Sequence, residues 1–379
     1  MYDVVVVGAR CAGAPLALQL ARAGHSVLVV DRTTFPSDTM STHFIQAPGL
    51  VRLARWGLAD SVLAINCPPI RTARFFVGGN ESRFDVSLDP SLPGLVAPRR
   101  YLLDKILIDA AVSEGAELAE GVLVDSLIFE EGRVTGVRGH TPNGVFEAKA
   151  RFVVGADGRN SVVAREVQAP FTHHSPTESI GYYTYFRNLE CEATELYLDD
   201  GLFGVVFPTN DDLTLVAVGW PPDSLNSVKR DIDGSFMSAL DRLGEMGPRA
   251  RGAERAERYV GASELPNYLR QLHGPGWALV GDAGYHKDPG PADGITDAFR
   301  GADYLAEAID DALGGSADET SALQRYQDRH DEFAIPLLEA AVRMARFDLT
   351  PQERFDAFFE IRINNHSEVE QLLSTNGAS

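Results

Sequence analysis

The sequence predicts an α/β fold with a βαβ domain, an antiparallel-sheet domain and a helical C-terminal region. Three patterns indicate this fold class. Residues 4–7 are four consecutive valines, which suits a strand buried on both faces of a parallel sheet. Aromatic and β-branched segments recur between 179 and 220, as in antiparallel strands. Beyond residue 297, apolar side chains recur at spacings near three and four, as an amphipathic helix requires.

A strand–helix–strand unit opens the chain. Gly8 follows the valines, a helix is predicted over about 11–23, and Gly24 is a natural helix terminator. The second strand, over 27–30, ends at Asp31. This order specifies two parallel strands that are joined by a right-handed crossover.

The remaining elements follow from the same periodicities. Two β-rich runs flank Glu130-Glu131-Gly132, and this arrangement predicts a hairpin. Pro336 should kink the helix in which it lies. In chain order, the predicted elements are a helix over 101–114, strands over 122–129, 133–138, 151–154, 182–186, 213–218 and 277–280, and helical structure after 297.

Composition restricts the classes of partner. The 379 residues exceed the roughly 250–300 at which single cores stop growing, so we expect two linked domains or lobes. With 54 acidic and 34 basic side chains, the net charge of -20 argues against a nucleic-acid partner. Three cysteines do not make a disulfide framework and fit a reducing compartment. No apolar run approaches the roughly 18 residues of a membrane span, and no targeting signal is evident, so we expect a cytoplasmic protein.

The turn after the first strand carries the first chemical motif. Gly8-Ala9-Arg10-Cys11-Ala12-Gly13 has the spacing GxGxxG of a Rossmann-like turn, where a dinucleotide pyrophosphate lies on the helix N-terminus. Arg10 replaces the middle glycine, and its cation could be offered to the phosphate. Asp31 could accept the ribose hydroxyls of a nucleotide, and an acid there disfavours the 2′-phosphate of NADP.

Two further glycine-acid turns follow predicted buried strands. One is Gly155-Ala156-Asp157-Gly158, and the other begins at Gly281-Asp282-Ala283 and continues to Gly294-Ile295-Thr296. Together the three motifs resemble the FAD-binding set of the group A flavoprotein monooxygenases, the p-hydroxybenzoate hydroxylase family, which is related to geranylgeranyl reductases and flavin halogenases. The resemblance covers about 1–165 and 270–310.

The resemblance implies a glutathione-reductase-type domain that binds FAD non-covalently. The amides of Ile295 and Thr296 would face the flavin pyrimidine, because reduced flavin carries negative charge that a helix N-terminus stabilises. The family positions imply roles for the others: the 8–13 turn and Asp157 for the pyrophosphate, Asp31 and Arg32 for the adenosine end, Val124 for adenine, Arg100 for the flavin chain and Asp282 for the ribityl hydroxyls. The full implied set is Gly8, Arg10, Cys11, Ala12, Gly13, Asp31, Arg32, Arg100, Val124, Asp157, Gly281, Asp282, Pro289, Gly294, Ile295 and Thr296.

The same resemblance implies a division of the chain. The FAD-binding domain would be discontinuous, formed by 1–70, 99–165 and 270–310. A β-rich substrate domain would comprise 71–98 and 166–269, and a C-terminal helical region 311–379.

The function that the resemblance implies is NAD(P)H-driven hydroxylation of an aromatic or polycyclic substrate by dioxygen through a flavin C4a-hydroperoxide. NADH or NADPH would bind only transiently. His43 is the candidate catalytic side chain, because the family places this segment beside the flavin and a base near a phenol assists electrophilic oxygen transfer. Five aromatic residues could wall the substrate pocket, although strand alternation implies that about half of such side chains are sheet core. They are Tyr183, Tyr185, Phe203, Phe207 and Trp220.

Other functions remain open on the same scaffold. The runner-up is a geranylgeranyl-reductase-like enzyme, of whose Tyr-x-Trp-x-Phe-Pro segment only Phe207-Pro208 is present. A non-catalytic flavin or ligand carrier is a further alternative. Halogenation is disfavoured, because the first lysine of the chain is Lys105 and no Trp-x-Trp pair occurs. A metal site is not expected, since His173-His174 lacks partners at metal-ligand spacing.

Overall fold

The structure, a computed structural model, describes residues 1–86 and 94–375. Parts of the predicted segments 71–98 and 311–379, namely 87–93 and 376–379, lie outside the described residues. The strands are β1 (Tyr2–Val7), β2 (Val27–Asp31), β3 (Thr72–Val77), β4 (Asn80–Asp85), β5 (Glu117–Glu120), β6 (Leu123–Glu130), β7 (Arg133–Thr141), β8 (Gly144–Gly155), β9 (Phe171–Ser175), β10 (Ile180–Arg187), β11 (Thr194–Asp199), β12 (Leu202–Pro208), β13 (Leu213–Trp220), β14 (Glu254–Arg255), β15 (Val260–Ala262), β16 (Asn267–Arg270), β17 (His273–Gly274), β18 (Trp277–Leu279) and β19 (Tyr285–His286).

Helices account for most of the remaining regular structure. Short 3₁₀ turns cover Pro222–Ser224 and Gly281–Ala283. The α-helices are α1 (Gly13–Arg22), α2 (Ala47–Arg55), α3 (Ala59–Leu63), α4 (Arg100–Ser113), α5 (Val162–Glu166), α6 (Leu225–Arg230), α7 (Ile232–Arg242), α8 (Met246–Arg251), α9 (Gly294–Gly314), α10 (Glu319–Ala345) and α11 (Pro351–Thr375).

The first sheet contains the predicted βαβ unit. Its order is β17-β18-β8-β1-β2-β5, and β1 pairs in parallel with both β2 and β8. Val4 to Val7 are buried, as a central parallel strand requires. The strand predicted over 151–154 is longer in the structure, because β8 first pairs antiparallel with β7 and then parallel with β1. Its first half alternates exposed and buried side chains, so a search for continuous apolar runs finds only its second half.

The second sheet has the order β14-β10-β13-β12-β11-β3-β4, and all its pairs except β11–β3 on this path are antiparallel. The chain enters this sheet twice, because β3 and β4 precede α4 whereas β10–β13 follow β9. Register decides which side chains share a face. Tyr185 and Phe207 both pair with Leu215, so the three lie side by side, whereas Trp220 pairs with Ile180 on the opposite face.

The C-terminal helices pack on one another and on both sheets. α10 continues without interruption past Pro336, where the sequence predicts a kink. Arg354, at the start of α11, is buried and donates to the carbonyls of Met344, Asp199 and Leu202. These bonds join α11 to the end of α10 and to the turn between β11 and β12. The predicted α/β architecture with a helical C-terminal region is confirmed.

Candidate functional site

The turn between β1 and α1 is shaped by contacts that exclude side chains. Gly8 has a φ of +106°, and a Cβ there would lie 2.4 Å from the carbonyl oxygen of Ala156. A Cβ on Gly13 would lie 1.9 Å from the carbonyl oxygen of Gly8. The first and third glycines of the motif are therefore required by the chain itself. The same contacts bring the first and second glycine-acid turns together.

Asp31 connects this turn to the end of β2. Its Oδ2 accepts from the amide of Ala9 at 2.9 Å, and its Oδ1 accepts from the amide and hydroxyl of Thr33, both at 2.8 Å. A carboxylate has about four acceptor positions, so capacity remains for ribose hydroxyls. Arg32 beside it is exposed. Asp31 thus stabilises the local turn and keeps acceptor positions for a ligand.

Asp104 of α4 is a residue of this site that sequence reasoning missed. It is fully buried and accepts from Arg10 Nη1 at 2.6 Å, from Arg100 Nε and Nη2 at 3.0 and 3.1 Å, and from Cys11 Sγ at 3.3 Å. Burial raises the pKa of the Cys11 thiol, which is thus a neutral donor. One carboxylate between two guanidiniums leaves a net positive charge beside the turn, which suits an anion. The i, i+4 spacing of Arg100 and Asp104 is the sequence signal that could have indicated it.

In the second turn, only one of the two carboxylate oxygens of Asp157 is hydrogen-bonded within the described residues. Asp157 Oδ2 accepts from the amide of Val162 at 2.7 Å, whereas Oδ1 is buried and has no partner among the described residues. Burial raises the pKa of Asp157, and its hydrogen bonds offset only part of that effect. A buried acceptor without a donor is uncommon in proteins, and a ligand donor could satisfy it. Val124 is buried in β6 beside an irregularity of its pairing with β7.

The third turn meets the first. Gly281 has a φ of +61°, and a Cβ there would lie 2.8 Å from the Cβ of Ala12. The next residue, Asp282, is exposed, and its carboxylate accepts no hydrogen bond from the rest of residues 1–86 and 94–375. Its backbone carbonyl accepts from the Tyr268 hydroxyl at 2.6 Å. A carboxylate that accepts no hydrogen bond from the described residues therefore lies beside the 8–13 turn.

The start of α9 is open on its outer side. A Cβ on Gly294 would meet no atom within 4 Å, whereas Ile295 and Thr296 are buried. The Thr296 hydroxyl accepts from the amide of Gln46 at 3.1 Å, and the Gln46 side chain donates to Ala292 at 3.4 Å. Gln46, which sequence reasoning did not identify, therefore holds α2 against this helix start. Pro289 is half-buried in the segment that leads to it.

His43 lies between these turns and the second sheet. It is fully buried with a φ of +58°, and its Nε2 is hydrogen-bonded to the Tyr185 hydroxyl. Its Nδ1 is buried and has no partner in the described part of the chain. Burial, and then the charges of Arg100 and Arg99, lower the pKa of His43 to about 3, so the imidazole is neutral at pH 7.

The five predicted pocket aromatics do not form one wall. Tyr183, Tyr185 and Phe207 share a face and one hydrophobic cluster, and the Tyr183 hydroxyl accepts from the Ser41 amide at 3.4 Å. Phe203 shares that face but packs against Phe347 in a separate cluster with α11. Trp220 lies on the opposite face, in the cluster covered by α6–α8. We therefore retain only the first three as candidate pocket residues.

Two other properties can be stated for residues 1–86 and 94–375. They contain no group of three or more His, Cys, Asp or Glu side chains arranged to hold a metal ion. None of their helices combines the length and the apolar character that crossing a bilayer requires.

This arrangement is typical of a class of proteins that bind a dinucleotide at the carboxyl ends of parallel strands. The family follows from comparison. Residues 1–341 match the family model described as FAD binding domain, so the chain belongs to this family of FAD-dependent oxidoreductase enzymes. The family that the motifs predicted is thereby confirmed, and FAD is the cofactor.

Relatives and structural neighbours differ in reaction. The chain is 28% identical to digeranylgeranylglycerophospholipid reductase 2 of Methanothermobacter thermautotrophicus, over 94% of this chain and 90% of that protein. The fold is similar to flavin-dependent brominase Bmp2, with a TM-score of 0.84 and 20% identity over 98% and 93% of the two chains. It is also similar to PqsL of P. aeruginosa in complex with 2-aminobenzoylacetate, with a TM-score of 0.81 and 23% identity over 94% and 99%. The two structures share the fold, and neither identifies the substrate.

The residues present fit FAD. The glycines of the turns expose backbone at the motif positions. Within residues 1–86 and 94–375, Asp157 Oδ1 has no hydrogen-bond donor and the Asp282 carboxylate accepts no hydrogen bond. The net positive charge around Asp104 suits a pyrophosphate. The open helix start at Gly294 suits the electron-rich pyrimidine of a flavin.

Replacing Asp282 should weaken FAD binding without weakening the apoprotein. Asp282→Ala removes a charge-assisted bond of about 1.5–3 kcal/mol, which should raise the Kd for FAD by roughly 10- to 100-fold. Asp157→Ala should have a smaller effect on the Kd but should lower the urea midpoint of the apoprotein, because Asp157 holds the Val162 amide. Flavin fluorescence titration and urea unfolding measure the two quantities. Glu332→Ala, at an exposed acid of α10, is the control. An equal or reversed effect of the two variants on the Kd would contradict the assignment.

Buried His43 should make stability depend on pH. The unfolded chain binds this proton near pH 6.5 and the folded chain only near pH 3. The contribution of His43 is thus complete above pH 6.5 and is lost as pH falls toward 3. Between pH 7.5 and 5, the wild type should lose about 2 kcal/mol more than His43→Asn, a residue that tolerates positive φ. Urea unfolding at the two pH values tests this, with exposed His140→Asn as control. Equal losses of unfolding free energy in the wild type and in His43→Asn would show that the folded protein does not hold His43 in the neutral form.

Proposed function

We propose that this chain is an NAD(P)H-consuming, FAD-dependent monooxygenase that hydroxylates an aromatic substrate. The observation that carries the proposal is a buried imidazole among aromatic side chains beside the second sheet. His43 is fully buried there, its Nδ1 has no partner in the described part of the chain, and Tyr183, Tyr185 and Phe207 share its surroundings. A largely apolar wall with a few orienting polar groups is typical of small-molecule sites.

The redox chemistry would come from bound FAD, which would take two electrons from NAD(P)H and pass them to dioxygen. The overall reaction consumes the substrate C–H, dioxygen, NAD(P)H and a proton, and yields the substrate C–OH, NAD(P)⁺ and water. The protein's contribution is to hold the aromatic ring, to orient its hydroxyl and to exclude water. Burial of Tyr185, Phe207 and Phe44 supplies the dry environment.

His43 orients the substrate in this proposal. With its proton on Nε2, toward the Tyr185 hydroxyl, Nδ1 is an acceptor for a substrate hydroxyl. A pKa of about 3 makes the imidazole a weak base, so accepting a hydrogen bond is the better supported role. The guanidinium carbon of Arg99 lies 4.2 Å from the Tyr185 ring centroid. Its positive charge opposes protonation of the His43 imidazole.

Reduction of isoprenoid double bonds is the second candidate. It is favoured by the 28% identity to a digeranylgeranylglycerophospholipid reductase over nearly the whole of both chains. The apolar face around Phe207 and Phe44 would also suit an isoprenoid. Against it stands the incomplete Tyr-x-Trp-x-Phe-Pro segment, because Val205 occupies the position of the tryptophan.

Halogenation and passive binding have less support. The chain has four lysines, of which Lys105, Lys149 and Lys229 are half-buried or exposed. Lys287 is buried but forms an ion pair with Asp297, so its ammonium is already engaged. A carrier function has less support, because the digeranylgeranylglycerophospholipid reductase, which is similar over nearly its whole length, is an enzyme.

The fate of dioxygen distinguishes these functions. Purified protein with FAD, NADPH or NADH and a panel of phenols and polyprenyl compounds should incorporate one atom of ¹⁸O from labelled dioxygen per product. It should consume one NAD(P)H per turnover. Product mass, NAD(P)H absorbance and oxygen uptake measure these quantities, and added catalase corrects for uncoupled peroxide.

Three outcomes would contradict the proposal. A hydrogenated product formed anaerobically, with no label taken up under air, would favour the reductase. A halide-dependent product would favour a halogenase. Stoichiometric FAD without substrate-dependent NAD(P)H oxidation across the panel would favour a carrier.

A substitution at Tyr185 tests the role of His43. Tyr185→Phe, which removes only the hydroxyl that is hydrogen-bonded to His43, should lower the rate of hydroxylation while the Kd for FAD stays as in the wild type.

A further inference from the structure

The residue that precedes α9 does not cap the helix. Asp293 is buried and occupies the N-cap position, where an aspartate ordinarily accepts the amide of the second or third helical residue. Its carboxylate accepts no amide of α9. Both of its oxygens instead accept from Arg362 Nη2 at 2.6 Å, and one also accepts from Asn365 at 3.1 Å. The side chain is thus turned toward α11.

This arrangement leaves the first amides of α9 available. The first intrahelical bond runs from the Asp297 amide to the Asp293 carbonyl. The amides of Gly294, Ile295 and Thr296 precede that bond and have no acceptor within the helix. A capping carboxylate would occupy one of them and would place a negative charge where a flavin pyrimidine oxygen should bind.

α11 reaches the next turn of α9 as well. Glu368 accepts from Arg300 at 2.8 and 2.6 Å and from Arg52 at 2.7 Å. Burial raises the pKa of Glu368, but the two arginines lower it further, to about 2, so it is ionised at pH 7. The resulting network balances three cations and three anions, which are Arg52, Lys287 and Arg300 with Asp297, Asp303 and Glu368. Arg362 and Asp293 form a separate ion pair between the same two helices.

We propose that α11 is a positioning element of the flavin site. Arg362 and Asn365 hold the Asp293 carboxylate off the start of α9, so that the amides of that helix and its positive end serve the flavin pyrimidine. The proposal rests on the proposed placement of the flavin at this helix start. The match to the family model ends at residue 341, so α11 lies beyond the matched residues.

Removal of Arg362 should release Asp293. A buried carboxylate that has lost its cation is strongly unfavourable, and the nearest unoccupied donors along the chain are the amides of α9. Once bonded to them, Asp293 would compete with the flavin. The penalty should be greater for reduced flavin, because that form carries the additional negative charge.

The experiment is a double-mutant cycle on FAD binding and flavin potential. Arg362→Ala should raise the Kd for FAD about tenfold. It should also weaken binding of reduced relative to oxidised flavin about tenfold, which lowers the two-electron midpoint potential by about 30 mV. Arg362→Lys, which keeps a cation beside Asp293, should stay close to the wild type. In an Asp293→Ala background, Arg362→Ala should change neither quantity.

The control removes a different contact of α11. Arg343→Gln breaks the exposed ion pair between Arg343 of α10 and Glu360 of α11, and it should leave the Kd and the potential unchanged. The measurements use neither substrate nor NAD(P)H, so they are independent of whether the enzyme hydroxylates. Circular dichroism and urea unfolding of each apoprotein report folding.

Two results would overturn the proposal. If Arg362→Ala lowers the urea midpoint but leaves the potential and the Kd unchanged, α11 only stabilises the fold. If Arg362→Ala is equally harmful in the Asp293→Ala background, the effect does not act through Asp293. Should Arg362→Ala alone fail to fold, comparing Asp293→Ala with the double variant still decides the second point, because neither retains the unpaired carboxylate.

Discussion

The close approach of three turns at the carboxyl ends of β1, β8 and β18 is the constraint on which the structure depends. Gly8 lies against the carbonyl of Ala156, and Gly281 against the side chain of Ala12, at distances that no additional Cβ could tolerate. These contacts fix how the parallel strands end and where α1 begins. α9 packs against α1 and against the third of these turns.

The buried carboxylates of the site hold the protein's own turns, whereas an exposed carboxylate is open to a ligand. Asp31 and Asp157 support the local turns, and Asp104 gathers Arg10, Arg100 and Cys11. The Asp282 carboxylate, in contrast, accepts no hydrogen bond in the described part of the chain, so it is available to a ligand. The same principle governs the start of α9, where ion pairs occupy the acids and leave the backbone amides unoccupied. A site for an electron-rich cofactor thus forms in a chain with a net charge of -20.

Local patterns predicted much of the fold, and long-range contacts account for what was missed. The β1–α1–β2 unit and the hairpin at Glu131 follow from apolar runs and turn residues that lie close together in the chain. The contacts of Arg362 with Asp293 join residues 69 apart, and no local periodicity reveals them. Trp220 falls on the far face because the register pairs it with Ile180, and register depends on packing that the sequence does not display.

The central claim is that the three turns and the start of α9 form a single non-covalent FAD site. Equilibrium titration of the apoprotein with FAD, followed by acid precipitation, tests it most directly. The account predicts saturation at one FAD per chain and release of all the flavin into the acid supernatant. Absence of flavin uptake in excess FAD would contradict the site, and flavin retained in the acid pellet would contradict its non-covalent character.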